Sequence, residues 1–220
     1  MTKNELLEPR KIPSQERSRK TMAAIYEAAA QVFTSVGYVE ATTEQIAEKA
    51  GVSIGSLYNY FSGKEAILNG LWEKYVDEIT VIIKKIDDDI RKEGFVDKTI
   101  IPLLLHVVLD LISYKRARNR LFISQIGLPE TIIQKRSELI AYIESTIEAI
   151  FRDFANVRIA DPRIGVHIIV TTVQAVMHDY ILNASDKIKA ENFIAELADM
   201  MGRYVFADDD PNRESHENLP

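Results

Sequence analysis

Between Thr42 and Lys64 the chain reads TTEQIAEKAGVSIGSLYNYFSGK, and the residue types that could do chemistry are concentrated there. Gly55, Ser56, Tyr58 and Asn59 share the outer side of a short helix that carries no charge and uses glycine where alanine would be the more stable choice. Small and hydrogen-bonding groups of this kind suit close approach to base edges in a major groove, where Asn59 can pair in two places with adenine and Ser56 can donate or accept. Groups suited to phosphate surround them: the hydroxyl and N-terminal amides of Thr43, the phenol of Tyr60, the ammonium of Lys64 and the cations Arg17, Arg19 and Lys20. The chemistry implied is recognition. Phosphate contacts would position the chain, and Ser56 and Asn59 would specify the sequence.

The elements that must hold these residues follow from apolar spacing, which is close to 3.6 almost everywhere and makes the chain all-α. Met22, Ile25, Ala29, Val32, Phe33 and Val36 mark one face of a first helix, from about residue 14 to Val36, stopped by Gly37. Thr42 and Gln45 form a capping box at the start of a second helix that ends at Gly51. A third runs from about Ser53 to Tyr60, burying Leu57, Phe61 and part of Ile54. The small Ala47 lets the second and third helices cross closely, and Val52 plugs the gap between them. A long fourth helix covers about Lys64 to Lys92. Two more are expected in 97–126, one in 129–154, and a closing pair in 162–183 and 188–206.

At this point the sequence resembles the TetR family of transcriptional regulators. The resemblance rests on Phe33, Gly37-Tyr38, Thr43, Ile46, Ala47, Ala50-Gly51-Val52-Ser53, Gly55-Ser56-Leu57-Tyr58, Tyr60-Phe61 and Lys64-Glu65, and covers about residues 14–68. It implies a homodimer whose three-helix N-terminal domains bind double-stranded operator DNA of palindromic sequence, with an all-α domain behind them for dimerisation and effector binding. It implies base contacts from Ile54, Gly55, Ser56, Tyr58 and Asn59, and phosphate contacts from Thr43, Tyr60 and Lys64. Glu44 departs from the pattern, because an acid beside a phosphate is repelled. The domain plan expected is a basic arm (1–13), a helix-turn-helix domain (14–62), an all-α effector and dimerisation domain (63–206) and an acidic disordered tail (207–220).

Charge is distributed to match. The net charge of −6 lies wholly beyond residue 66, since eight cations balance eight acids before it, and five of those cations stand between Arg10 and Lys20 against the single acid Glu16.

Beyond residue 68 the residues speak for themselves. Over Ile164–Leu182 the sole formal charge is Asp179, and His167, Thr171, Gln174 and His178 fall in one narrow arc. That stripe reads equally as pocket wall, as dimer seam or as ordinary polar residues at a wet edge. The effector candidates are Trp72, Tyr75, His106, Phe122, Gln125, Tyr142, Thr171, Gln174 and His178, and the ligand expected is a small, mostly apolar molecule, neutral or weakly charged. The dimer candidates are Val173, Met177, Phe193, Leu197, Met201 and Tyr204 on the last two helices, which carry more apolar surface than one subunit covers.

The chain has no cysteine, so thiolate catalysis and cysteine zinc sites are excluded. His167 and His178 stand about 16 Å apart along a helix and cannot share an ion. No metal and no cofactor are expected. There is no glycine-rich phosphate loop and no nucleophile elbow, so an enzyme ranks last, behind a helical adaptor or a constitutive DNA-binding dimer. The polar N-terminus lacks a secretion signal, and the polar residues of 164–182 argue against a membrane span, so the cytoplasm is the expected compartment.

Overall fold

Helix α1, Glu16–Val36, buries Ile25, Tyr26, Ala28, Ala29, Ala30, Val32 and Phe33, the stripe expected of an amphipathic helix. After it come α2 (Thr43–Lys49), α3 (Ile54–Tyr60), α4 (Lys64–Glu93), α5 (Ile100–Tyr114), α6 (Glu130–Phe154), α7 (Pro162–Asp179) and α8 (Ala190–Val205). The structure, a computed structural model, describes residues 16–114, 118, 121–122, 127–154, 157–184 and 187–206. The arm up to residue 13 and the tail 207–220 lie outside the described residues. Among the described residues there is no strand, and Val157 and Phe206 form an isolated antiparallel bridge. The all-α reading holds.

Two compact units divide the chain. The first takes the described residues up to Lys84 together with Asp110–Ala141, and the second takes Lys85–Leu109 and the chain from Tyr142 onward. Helix α4 is continuous across that division.

In the first unit α1, α2, α3 and the start of α4 enclose a core in which Ile25, Ala29, Ile46, Leu57, Phe61, Ala66, Ile67 and Leu68 are wholly buried. The Tyr26 ring meets Phe61 edge-on at 5.2 Å, with the Lys74 ammonium 4.9 Å from its centre. Further along α4, Trp72, Tyr75 and Phe122 form a triangle of rings with centroids 5.1–5.5 Å apart.

In the second unit Ile90, Val96, Ile150, Val205 and Phe206 make a buried cluster, with Ile86, Phe151, Phe154 and Ile169 packed against it. Helix α7 begins where Asp161-Pro162 predicts: the Asp161 carboxylate accepts from the amides of Arg163 and Ile164 at 3.0 and 3.2 Å, and proline stands at the first helical turn. By length and composition 162–183 is apolar enough to cross a bilayer. Its end differs from the expected plain helix, because after Asp179 the backbone widens into a π-turn over Tyr180–Ala184, where Tyr180 stacks on Phe193 at 4.2 Å.

Candidate nucleic-acid interface

The surface around α3 is built by local capping before any tertiary contact is needed. Thr42 Oγ1 accepts from the Gln45 amide at 3.2 Å while Gln45 Oε1 accepts from the Thr42 amide at 3.0 Å, which fixes where α2 starts. Gly51, at φ +67°, makes the turn, and the Val52 amide returns to the Ala47 carbonyl at 3.0 Å. Ser53 then caps α3 by accepting from the Ser56 amide at 3.1 Å.

Leu57 and Phe61 are wholly buried. The other side of α3 therefore faces outward, with Ile54 and Tyr58 exposed to 38% and 39% and Gly55 and Asn59 exposed beside them. Ser56 is half-buried. No residue of α3 is charged. A Cβ built at Gly55 would meet no atom of the described residues within 4 Å, so nothing among them requires glycine there. A residue that weakens a helix by roughly 1 kcal/mol without serving the fold suits a surface that something else approaches closely.

The groups expected to hold phosphate are placed differently from one another. Arg17, Arg19 and Lys20 stand exposed on the first two turns of α1, with Lys20 paired to Glu16 at 2.8 Å. Thr43 is half-buried, and its hydroxyl lies 3.0 Å from the Tyr58 phenol and 3.3 Å from Glu44 Oε2. Tyr60 is 9% exposed and donates to the Ser18 hydroxyl at 3.3 Å, tying the end of α3 to α1. Lys64 donates to the carbonyls of Tyr38, Val39 and Ala41 at 3.0, 2.7 and 3.0 Å, and stands over the Tyr38 ring. An ammonium has three hydrogens, and all three are used. A phosphate contact from Lys64 would have to displace one of those carbonyls.

The effector candidates fall into two groups. Trp72, Tyr75 and Phe122 come together in the first unit, with Trp72 2% and Phe122 1% exposed. Burial pushes the Tyr75 phenol up, and the nearby guanidinium groups of Arg136 and Arg118 oppose that shift. Gln125 lies outside the described residues. His106, Tyr142, Thr171, Gln174 and His178 belong to the second unit. His106 is exposed and its Nδ1 pairs with the Pro102 carbonyl at 2.7 Å. Tyr142 and Thr171 are exposed, while Gln174 and His178 are half-buried. The stripe on α7 is therefore not one environment. At its start His167 pairs with Glu144 at 2.8 Å on the surface, whereas His178 Nε2, about three turns on, is buried without a hydrogen-bond partner among the described residues.

The dimer candidates need a correction. Met177, Leu197 and Met201 are 0%, 5% and 4% exposed, so they belong to the protomer's own core. Phe193 is half-buried against Tyr180, Val173 is half-buried, and Tyr204 stays exposed. The exposed apolar residues of these helices are Ile164, Ile168, Met200 and Tyr204, at 39–55%. The stripe with the strongest periodicity marked the inside of the fold.

Sequence reasoning passed over Arg118 and Glu78. Arg118, 6% exposed, forms a two-point ion pair with Glu78 at 2.7 and 3.1 Å and lies over the Tyr75 ring. It sits in the basic run KRARNR at 115–120, where a charged residue in a charged run gives no hint of burial.

Comparison with known proteins agrees with this geometry. The profile of bacterial regulatory proteins, tetR family, matches residues 25–71. The fatty acid metabolism regulator protein of Bacillus subtilis (strain 168) is 27% identical over 124 residues, which are 56% of this chain and 61% of that protein, under two thirds of its length. Among solved structures, NalD of Pseudomonas aeruginosa, the secondary repressor of the MexAB-OprM multidrug efflux pump, superposes with a TM-score of 0.69 at 21% identity over 88% of this chain and 99% of its own. The fatty acid degradation regulator FadR of Bacillus halodurans does so at 0.64 and 18% identity, over 82% and 94%. These structures share the fold.

Proposed function

Because this chain belongs to the TetR family of bacterial regulatory proteins, we propose that it is a ligand-responsive transcriptional repressor, which binds a palindromic operator as a homodimer in the cytoplasm. The observation that carries the reading is the uncharged outer face of α3, with an open glycine at position 55 and the exposed Tyr58 and Asn59 next to it. Ile54, Gly55, Ser56, Tyr58 and Asn59 meet base edges. Arg17, Arg19 and Lys20 supply the phosphate contacts, and Lys64 and Tyr60 support them by holding the backbone before α2 and the end of α3 in place.

Dimerisation is assigned to the exposed face of α7 and α8. Ile164, Ile168, Thr171 and Ala175, at spacings of four, three and four, form an exposed stripe, and Met200 and Tyr204 form its counterpart on α8. A two-fold copy would bury both in an isologous helical interface.

The effector is a small, mostly apolar molecule that acts through α4, the helix that begins at Lys64 directly after the reading helix. Such a ligand must bind the DNA-incompetent arrangement more tightly, because equal affinity for both would shift nothing. The names of the B. subtilis and B. halodurans relatives make fatty acyl compounds the first class to try. The near-complete burial of Trp72 and Phe122 favours a second reading, a constitutive DNA-binding dimer with a solid core.

Selection of the full-length protein on random duplexes tests the first claim: the wild type enriches an inverted repeat, and Asn59→Ala relaxes one position in each half-site by roughly 1–3 kcal/mol. Enrichment of no motif at low salt sinks it. Titration of the selected operator complex with fatty acids and acyl thioesters separates the two readings, since release supports an effector and unmoved affinity supports the constitutive dimer.

A further inference from the structure

The hydroxyl of Thr43 on α2 and the phenol of Tyr58 on α3 meet at 3.0 Å, and the same Thr43 oxygen lies 3.3 Å from Glu44 Oε2. Counting hydrogens gives this chain a direction. A threonine hydroxyl has one hydrogen, and a carboxylate can only accept. Thr43 therefore donates to Glu44 and receives the hydrogen of Tyr58. Its hydroxyl then has no hydrogen left for a phosphate oxygen, which also only accepts.

Tyr58 is 39% exposed on the face that carries Gly55 and Asn59. Its anchor is stiff, because Thr43 is β-branched and stands in the first turn of a helix fixed by a capping box. With its hydrogen committed to Thr43, the phenol oxygen can meet a base only as an acceptor. In the major groove the partners for an acceptor are the exocyclic amino groups of adenine and cytosine, whereas guanine O6 and thymine O4 present acceptors of their own.

We infer that Thr43 is a positioning residue for base readout, and that the Glu44–Thr43–Tyr58 chain makes Tyr58 select a base carrying an amino group over one carrying a carbonyl at one position of each half-site. The inference rests on α3 being the reading helix and deepens that reading.

The test uses the full-length protein, selection from random duplexes, and affinities for single-base variants of the selected site. Thr43→Val keeps the shape and removes the hydroxyl, and Tyr58→Phe removes its partner. Each lowers the preference for adenine or cytosine at the same position by about two- to tenfold, the size of one hydrogen bond. The double variant is no worse than either single one. Thr43→Ser retains the wild-type preference, and Glu44→Ala, which lets the Thr43 hydrogen turn toward Tyr58, raises tolerance of guanine or thymine at that position.

If Thr43→Val weakens all sequences alike and lowers the salt slope, Thr43 is a phosphate contact and the inference fails. It fails equally if the two single variants alter different positions or act additively. A wild type without any motif removes the reading of α3 and this inference together, whereas a wild-type motif untouched by Thr43→Val removes the inference alone. Tyr58→Phe, on an exposed side chain, keeps the test decisive should the Val variant prove unstable.

Discussion

The Lys64 ammonium lies 2.7 Å from the Val39 carbonyl oxygen, at the centre of a three-point clamp that also takes in the carbonyls of Tyr38 and Ala41. This clamp fixes the backbone leading into α2, so the residue that resembles a phosphate contact in the sequence holds the reading head together from within. Lys64→Met should destabilise the fold by roughly 1.5–3 kcal/mol, the range for hydrogen bonds to a charged group. Operator affinity should drop with little change in salt slope. A slope reduced by about one unit, with stability unaltered, assigns Lys64 to phosphate instead.

Gly70 on α4 packs directly on Tyr26 of α1, and a Cβ there would collide with the phenol oxygen. Gly70→Ala should cost about 1–3 kcal/mol through overpacking. Tyr26→Phe removes the atom struck first, so the double variant should recover part of that loss. Denaturant midpoints for the four proteins check this, and strict additivity would remove the contact from the account.

Burial raises the Tyr26 and Tyr38 phenols to about 12, with the Glu65 charge adding to the effect at Tyr38. The folded chain then holds these protons more tightly than the unfolded one. Stability from this source is fully present below pH 10 and is lost as pH rises from 10 toward 12. For the buried Tyr26 it is on the order of 2 kcal/mol, and solvent screening makes it smaller at the more exposed Tyr38. Urea midpoints measured from pH 9 to 12 should fall, and the fall should be shallower in Tyr26→Phe.

Ile164→Glu with Ile168→Glu should give a monomer with near-normal helicity, because both side chains already face outward. Leu197→Ala should instead lower stability by about 2–5 kcal/mol, since that side chain is core. Sedimentation and thermal melts separate the two outcomes, and a dimer that survives both glutamates places the interface elsewhere.

Capping and periodicity made the reading head legible from residues alone. Thr42 with Gln45, Gly51 at the turn, and Leu57 with Phe61 facing inward are local features, decided within a few residues of each other. Tertiary geometry decided the rest. Nothing in the sequence says that Lys64 folds back onto residues 38–41, that Tyr60 turns inward to Ser18, or that Arg118 is buried against Glu78, because each partner is 23 or more positions away. The dimer stripe misled for a related reason: Met177, Leu197 and Met201 have the period of an apolar face, and period alone does not distinguish an internal face from an external one.

If α3 presents its uncharged face to base pairs, Gly55→Ala separates fold stability from operator binding. Since a Cβ at position 55 meets nothing among the described residues, the substitution should raise fold stability by roughly 0.5–1 kcal/mol through helix propensity. The same variant should bind the selected operator at least about tenfold more weakly, because the added methyl group intrudes where base edges approach. A variant that is more stable and binds the operator as tightly as the wild type would contradict base readout by α3.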